Sequence, residues 1–190
     1  MPKRGLSNEH IIDTAARMVE ESGYDKFSLR ELAARLEVKP ASLYNHIEGL
    51  DEINVSVAIR AAEQLRAVLS EAVEGKDADE AFLDGARAYR KYALENPELY
   101  KAFIHMPSLR NENASMAGIE SFAPMREVIK SYGASHDEAV HFIRALRSVM
   151  HGFIELTSNG FMQKGPVSKE DTYEVIIHTY LAHLKEKTGK

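Results

Sequence analysis

The sequence predicts an all-α protein, and three features of its pattern lead to this fold class. Apolar residues recur at helical spacing along most of the 190 residues, and no alternating, strand-like segment exceeds a few residues. Residues that typically begin and end helices separate these apolar stretches. A hydrophobic content of 44% is ample for a buried core, in one domain or in two small ones.

The first two helices are predicted near the N-terminus. The segment 11–24 has a helical pattern and ends at Gly23 and Tyr24. Ser28 is suited to cap the next helix, and Glu31, three residues later, is spaced to reach back to the backbone amide of Ser28. The inner side of this second helix consists of apolar residues at helical spacing: Leu29, Leu32, Ala33 and Leu36.

A third, short helix is predicted after a tight corner. Pro40 suits the first turn of a helix, and Leu43 and Ile47, four residues apart, are expected to face inward. Tyr44 and His46 flank the opposite face, where they are within reach of phosphates. That face has short side chains that let the backbone approach a DNA groove: Ala41, Ser42 and Asn45. Residues 28–47 therefore read as a helix-turn-helix.

Glycine and proline divide the remaining chain into helices. We expect a long helix at 51–74, further helices at 79–95, 117–132 and 137–158, a short one opening at Pro97, and a loop at 107–115. The helix at 137–158 is apolar on more than one side, so that one surface packs on its own domain and another meets a second copy. A final helix has one apolar stripe: Tyr173, Ile176, Ile177, Tyr180, Leu181 and Leu184.

Several motifs resemble the TetR family of one-component transcriptional repressors. The segment L-Y-N-H-I at 43–47 is close to that family's L-Y-x-H-F, the first helix ends in the family's G-Y/F turn, and S-L-R-E-L-A follows Phe27 as in family members. This resemblance covers about residues 7–60. The segment A-L-R-S-V-M-H-G-F at 145–153 is similar to the late-helix motif of a subgroup that carries Trp-His-Gly, with Met150 in place of the Trp.

The resemblance implies an architecture and a function. It implies a three-helix DNA-binding domain at 1–50 and a helical ligand-binding and dimerisation domain at 51–190. The expected protein is a cytoplasmic, ligand-responsive regulator, commonly a repressor, that binds a near-palindromic double-stranded DNA operator as a homodimer and responds to a small-molecule effector without a cofactor. The last two helices would form a four-helix interface, for which we select Ala145, Ser148, Gly152, Ile176, Tyr180 and Leu184.

The resemblance also assigns roles within the helix-turn-helix. Candidates for contacts to base edges are Arg30, Ser42 and Asn45, since arginine can bond guanine and asparagine can bond adenine with two hydrogen bonds each. Candidates for phosphate contacts, which position the protein without reading sequence, are Ser28, Lys39, Tyr44 and His46. Tyr44 has an alternative interpretation, in which its ring covers the domain core.

The charge distribution favours selective DNA binding over indiscriminate binding. The net charge is −5, and residues 1–50 carry seven basic against eight acidic side chains, whereas non-specific DNA affinity rests on Lys and Arg. A local basic cluster would need Lys3 and Arg4 beside Arg30 and Lys39. Two positions depart from the family pattern. Glu37 stands where many members have glycine, and Leu50 stands where many have a lysine that contacts phosphate.

The C-terminal part contains candidates for an effector pocket. His151 and Glu155, four residues apart, are spaced to form a polar pair, with Arg144 seven residues before His151. An ordinary ion pair at the surface or at an interface is the alternative. Methionines and aromatic residues suit adaptable ligand walls, although they also form ordinary cores, and the candidates are Tyr89, Tyr92, Phe103, Met106, Phe122, Met125 and Met150.

Other functional classes have less support. The chain has no cysteine, no phosphate loop, no G-x-S-x-G or H-E-x-x-H motif, and no apolar run of the roughly 20 residues that span a bilayer. The His136/His141 and His178/His183 pairs are five residues apart, so they do not share a helix face and do not predict a metal site. The open alternatives are a DNA-binding regulator without a small-molecule ligand, and a helical enzyme or metal-binding protein.

Overall fold

The computed structural model describes residues 6–164 and 166–190, except for the side chains of Asp25, Pro107 and Ser108. In these ranges the chain forms ten α-helices, two short 3₁₀ turns and no strand, which confirms the all-α prediction. The helices are α1 Asn8–Ser22, α2 Leu29–Arg35, α3 Pro40–Leu43, α4 Leu50–Val73, α5 Ala78–Glu95, α6 Pro97–His105, α7 Glu112–Glu120, α8 Ala123–Ser131, α9 His136–Ser158 and α10 Lys169–Thr188.

The helices form two compact units. The N-terminal unit contains the described residues up to Gln64 together with Glu95–Glu120, and the C-terminal unit contains Leu65–Leu94 and Ser121–Lys190. This division differs from the predicted boundary at residue 50. The first part of α4 packs with α1, where Arg60 and Asp13 form an ion pair at 2.6 Å, and α6 also packs on α1.

The core of the N-terminal unit is built on α1. Ser7 caps this helix by accepting the backbone N–H of His10 at 3.2 Å, and the helix ends at Gly23, whose φ of 96° is readily adopted only by glycine. Apolar side chains of α1 to α4 are fully or almost fully buried together: Ile11, Ala15, Val19, Leu32, Leu43, Ile53 and Val57.

The C-terminal unit is held together by α5, α9 and α10. The buried Tyr173 hydroxyl of α10 donates a hydrogen bond of 2.7 Å to the carbonyl of Ala86 on α5. The Arg90 guanidinium lies 5.7 Å from the ring centroid of Phe153 and 5.2 Å from that of Tyr173. Arg87 forms a two-pronged ion pair with Glu174 of α10, so polar contacts complete the apolar packing of α5.

The prediction for residues 107–132 is wrong in two respects. The expected loop at 107–115 contains the end of a 3₁₀ turn and the first residues of α7, because the Asn111 side chain accepts the N–H of Ala114 at 3.0 Å and thereby starts a helix. The expected single helix at 117–132 is divided between α7 and α8, with a break at Ser121 and Phe122 and a proline at the start of α8. The other helices with predicted bounds are confirmed within one or two residues, apart from α1, which begins three residues before the predicted Ile11, and the shorter α3.

Candidate nucleic-acid interface

The start of α2 is fixed by Ser28, as predicted. Its hydroxyl oxygen accepts the N–H of Glu31 at 3.4 Å, and the hydroxyl donates to the Glu31 carboxylate at 2.7 Å. The predicted bond from Glu31 to the backbone amide of Ser28 is thus replaced by a bond to its hydroxyl. The cap sets where α2 begins and therefore the angle at which Arg30, in its first turn, leaves the helix.

The corner between α2 and α3 requires an unusual backbone at Glu37. Its φ is +56°, a value that glycine adopts freely and that costs other residues roughly 1 kcal/mol. The N–H of Val38 returns to the carbonyl of Ala33 at 3.0 Å, so the turn is closed by a backbone hydrogen bond. Glu37, which stands where many members of the family that this sequence resembles have glycine, thus has a backbone conformation that favours glycine.

The short α3 and the turn after it have two different sides. Leu43 is 0% and Ile47 is 5% exposed, which confirms that these two residues face inward. Tyr44 is 59% exposed, so its ring does not cover the domain core. On the outer side, Ala41 and Asn45 are exposed and Ser42 and His46 are half-buried.

Three polar side chains of the helix-turn-helix are available to a partner. Arg30, Lys39 and Asn45 are exposed, and within the described residues none of the three side chains makes a hydrogen bond or ion pair. By contrast, Arg35 forms an ion pair with Glu21 at 2.6 Å. The charge of Arg35 is therefore partly neutralised and is less available to DNA phosphates. The predicted contribution of Lys3 and Arg4 lies outside the described residues.

The start of α4 is acidic. Leu50, 37% exposed, is the first residue of the helix, and the carboxylate of Glu52 accepts the backbone N–H of Glu48 at 2.5 Å. Negative side chains stabilise a helix N-terminus through its dipole, but they also repel DNA phosphates. The family's lysine contact is therefore absent here, and a carboxylate lies near the same position.

The predicted effector residues do not all fall in one unit. Phe103 and Met106 are buried in the N-terminal unit, whereas the other apolar candidates are buried in the C-terminal unit. In the latter, the rings of Tyr89 and Phe122 are tilted against each other at 5.3 Å. The buried candidates in the C-terminal unit are Tyr89, Tyr92, Phe122, Met125 and Met150.

His151 lies beside Arg147 rather than Arg144. Burial lowers the pKa of His151, Glu155 raises it in part, and Arg147 lowers it further. Arg147 lies with its guanidinium 5.0 Å from the ring centroid of Phe122, while Arg144 and Glu155 are exposed. Arg147 could have been predicted as the neighbour of His151, because the two residues are four apart on one helix. The prediction named Arg144 instead.

The predicted dimer residues mostly lie at the surface of the C-terminal unit. Ala145 and Ser148 are exposed and Gly152, Ile176 and Tyr180 are half-buried, but Leu184 is 0% exposed, which removes it from any surface that a second copy contacts. Between α9 and α10 lies a groove of about 410 Å³. Its lining includes four residues that the prediction missed, although they flank Ala145 and Tyr180 in sequence: His141, Phe142, Thr179 and His183.

The described ranges contain neither a cluster of metal ligands nor a membrane-spanning helix. Within residues 6–164 and 166–190, no three His, Asp or Glu side chains come together as a group that would hold a metal ion. In the same part of the chain, no helix combines the length and the apolar character needed to cross a membrane.

Comparison with known proteins agrees with this geometry. Residues 11–47 match the family model for bacterial regulatory proteins of the tetR family, and residues 82–180 match the model for the tetracyclin repressor-like C-terminal domain. The uncharacterized HTH-type transcriptional regulator YobS of Bacillus subtilis is 31% identical over 96% of this chain and 95% of its own length. A second such regulator, Rv0681 of Mycobacterium tuberculosis, is 33% identical over 83% of this chain and 72% of its own length.

The fold has a close structural counterpart as well. The structure of a protein with unknown function from Rhodococcus sp. RHA1 superimposes with a TM-score of 0.80 at 22% identity, covering 95% of this chain and 96% of that chain. The helix-turn-helix and the matched models together define a DNA-binding transcriptional regulator rather than an enzyme. The chain belongs to the TetR family. Its resemblance to the Trp-His-Gly subgroup stays a prediction, and Met150, at the Trp position, is fully buried.

Proposed function

We propose that this regulator is a cytoplasmic, homodimeric repressor that binds a near-palindromic operator and responds to a small-molecule effector. The observation that carries the proposal is the outer side of the helix-turn-helix. Arg30, Lys39 and Asn45 are exposed there and have no hydrogen bond or ion pair among the described residues, while Leu43 and Ile47 anchor the same corner in the core. Unpaired polar side chains on a rigid element suit the recognition of base edges and phosphates.

The residues divide into two roles. Arg30, Ser42 and Asn45 contact base edges, each bidentate contact contributing roughly 1–3 kcal/mol of discrimination. Contacts to phosphates come from Ser28, Lys39, Tyr44 and His46, and the small Ala41 allows close approach to the groove. Two such corners in a dimer would meet successive major grooves about 34–36 Å apart, or farther for a longer operator, which is why the operator is expected to be near-palindromic.

The C-terminal unit supplies dimerisation and sensing in this proposal. The exposed row of Ala145 and Ser148 beside the groove between α9 and α10 supports a helical interface with a second copy. The tilted pair of Tyr89 and Phe122 and the half-buried His151 support an aromatic effector site with one polar group. An effector changes operator affinity only by its differential affinity for the two conformations of the protein.

The first test is selection from a randomised duplex library. The wild type is compared with Asn45→Ala at two salt concentrations, with Ser131→Ala, in the C-terminal unit, as the control. We expect the wild type and Ser131→Ala to enrich the same palindrome, and Asn45→Ala to bind it more weakly or to accept another base at one position of each half-site. Enrichment of no sequence by the wild type at either salt concentration would contradict the proposed function.

A further inference from the structure

Two carboxylates join α1 to α6 within the N-terminal unit. Glu20 of α1 accepts the backbone N–H of Leu99 at 2.6 Å, and Glu98 of α6 accepts the backbone N–H of Tyr24 at 2.7 Å. Each helix therefore supplies a charged acceptor to a backbone donor at the end of the other. We call these two bonds the carboxylate clasp.

The first bond replaces a missing helix cap. Leu99 lies in the first turn of α6, where backbone N–H groups have no partner inside the helix. Asn96, at the cap position, does not cap the helix with its side chain, so the Glu20 carboxylate of α1 takes that place. Hydrogen bonds from backbone amides to a carboxylate at a helix N-terminus are among the stronger ones.

The second bond holds the segment that leads into the helix-turn-helix. Tyr24 directly follows Gly23, where α1 ends, and precedes the Ser28 cap of α2 by four residues. A Cβ at Gly23 would come 3.6 Å from the Glu98 carboxylate, so the chain passes close to α6 here. The Tyr24 ring also stacks on His105, the last residue of α6, with centroids 5.9 Å apart and planes at 20°.

Forming the clasp also has an energetic cost. Burial raises the pKa of Glu20, the bond from Leu99 lowers it in part, and the charge of Glu98 raises it again. The bonds to the amides are therefore offset by desolvation and by repulsion between the two carboxylates.

We propose that this clasp couples the position of α6 to DNA binding, so that a closed clasp and a bound operator favour each other. Glu20 and Glu98 then act as positioning residues for the helix-turn-helix. The chain enters α6 directly from α5, which carries Tyr89 and Tyr92 of the proposed effector site, with only Asn96 between the two helices. The inference rests on the proposed function.

The decisive experiment measures amide hydrogen exchange in the full-length wild type, free and bound to the duplex enriched from the library. We expect exchange at Tyr24 and Leu99 to slow by about tenfold on binding, which lies within the usual range of coupling between two sites. The amide of Asp171, capped by Ser168 at 2.9 Å in the C-terminal unit, serves as the internal control. Unchanged exchange at both clasp amides in the complex would overturn the proposal.

Variants test the same coupling through affinity. Glu20→Ala and Glu98→Ala should each weaken duplex binding about tenfold, and the double variant should be scarcely weaker, because either change opens the clasp. Glu20→Gln and Glu98→Gln keep a carbonyl acceptor and should restore most of the affinity. The matched control is Glu63→Ala, an exposed carboxylate on α4 that makes no bond within the described residues.

The outcomes separate the clasp from the proposed function. Wild-type affinity in both alanine variants, or losses equal to that of Glu63→Ala, would overturn the clasp and leave DNA binding intact. If the binding free energies lost in the two single variants simply add in the double variant, the two bonds act independently, which would also contradict the clasp. A wild type that binds no duplex sequence would contradict both proposals. The exchange experiment uses unaltered protein, so it decides the matter even where an alanine variant fails to fold.

Discussion

The Sδ atom of Met125 lies directly over Gly85, so that a Cβ at Gly85 would come 2.2 Å from it and 3.3 Å from a methyl carbon of Val73. Only glycine leaves room for the Met125 side chain in this position. We expect Gly85→Ala to lower the free energy of unfolding by about 1–3 kcal/mol, as overpacking typically does. Urea unfolding followed by circular dichroism measures the change.

The control for this prediction is a double-mutant cycle. In the background of Met125→Ala, which removes the obstructing side chain, Gly85→Ala should cost little or should stabilise by up to about 1 kcal/mol, since alanine favours a helix more than glycine does. A full loss of stability in that background would show that the close approach to Met125 is not the cause.

The positive φ at Glu37 predicts a substitution that stabilises the protein, in contrast to Gly85→Ala. Glu37→Gly should raise the free energy of unfolding by about 0.5–1 kcal/mol, because the relief of backbone strain exceeds the extra entropy of glycine in the unfolded chain. Glu37→Gln removes the charge but keeps the Cβ and serves as the control. Equal stabilisation by both variants would assign the effect to charge and would contradict the strain.

The helix-turn-helix was predictable because its determinants are local. The cap at Ser28, the proline at Pro40 and the inward pair of Leu43 and Ile47 lie within 20 residues, and periodicity and capping are short-range signals. The strain at Glu37 followed from its position in the turn. The start of α7 was missed although Asn111 was a readable cap signal, and the break between α7 and α8 was not predicted either.

The clasp and the composition of the two units depend on distant parts of the chain. The bonds of Glu20 and Glu98 join residues 79 and 74 positions apart, and sequence periodicity carries no information about such pairs. The same reason explains why Phe103 was grouped with Tyr89 from residue type alone, while the fold puts the two in different units. Residue type predicts burial well, but it does not predict the neighbours.

Lys39 and Asn45 should differ in how they affect DNA binding. Lys39→Ala removes a phosphate contact, so operator and non-operator duplexes should both bind more weakly and the slope of log affinity against log salt should fall by about 0.9. Asn45→Ala should leave that slope nearly unchanged and should weaken the operator selectively. Fluorescence anisotropy titrations at several salt concentrations measure both. An altered slope in Asn45→Ala alone would reverse the assigned roles.

Asp79 should make stability depend on pH in the acid range. Hydrogen bonds from Lys185 at 2.7 Å and from the Tyr132 hydroxyl at 2.6 Å lower its pKa below the ordinary 3.8. Its contribution is therefore present above pH 3.8 and is lost as the pH falls through the lowered folded-state pKa.

The test compares Asp79→Asn with the wild type. The variant should be less stable near pH 6 by less than about 1 kcal/mol, since the ion pair is largely exposed and screened by solvent. The deficit should shrink on acidification toward about pH 3 and below. Tyr132→Phe, which leaves the Lys185 pair, should show a smaller effect of the same sign. A deficit independent of pH would contradict a role for the ionised carboxylate.

Ala145 provides the sharpest test of the proposed dimer. It is exposed and, together with Tyr180, lines the groove between α9 and α10. Ala145→Glu would place a carboxylate in a largely apolar interface, where its desolvation is costly, so the dimer dissociation constant should rise at least about tenfold. Sedimentation velocity over a dilution series measures it, with Ala67→Glu, on the exposed side of α4, as the control. An unchanged dissociation constant would mean that a second copy does not cover this groove, and the operator geometry would then have to arise from another face.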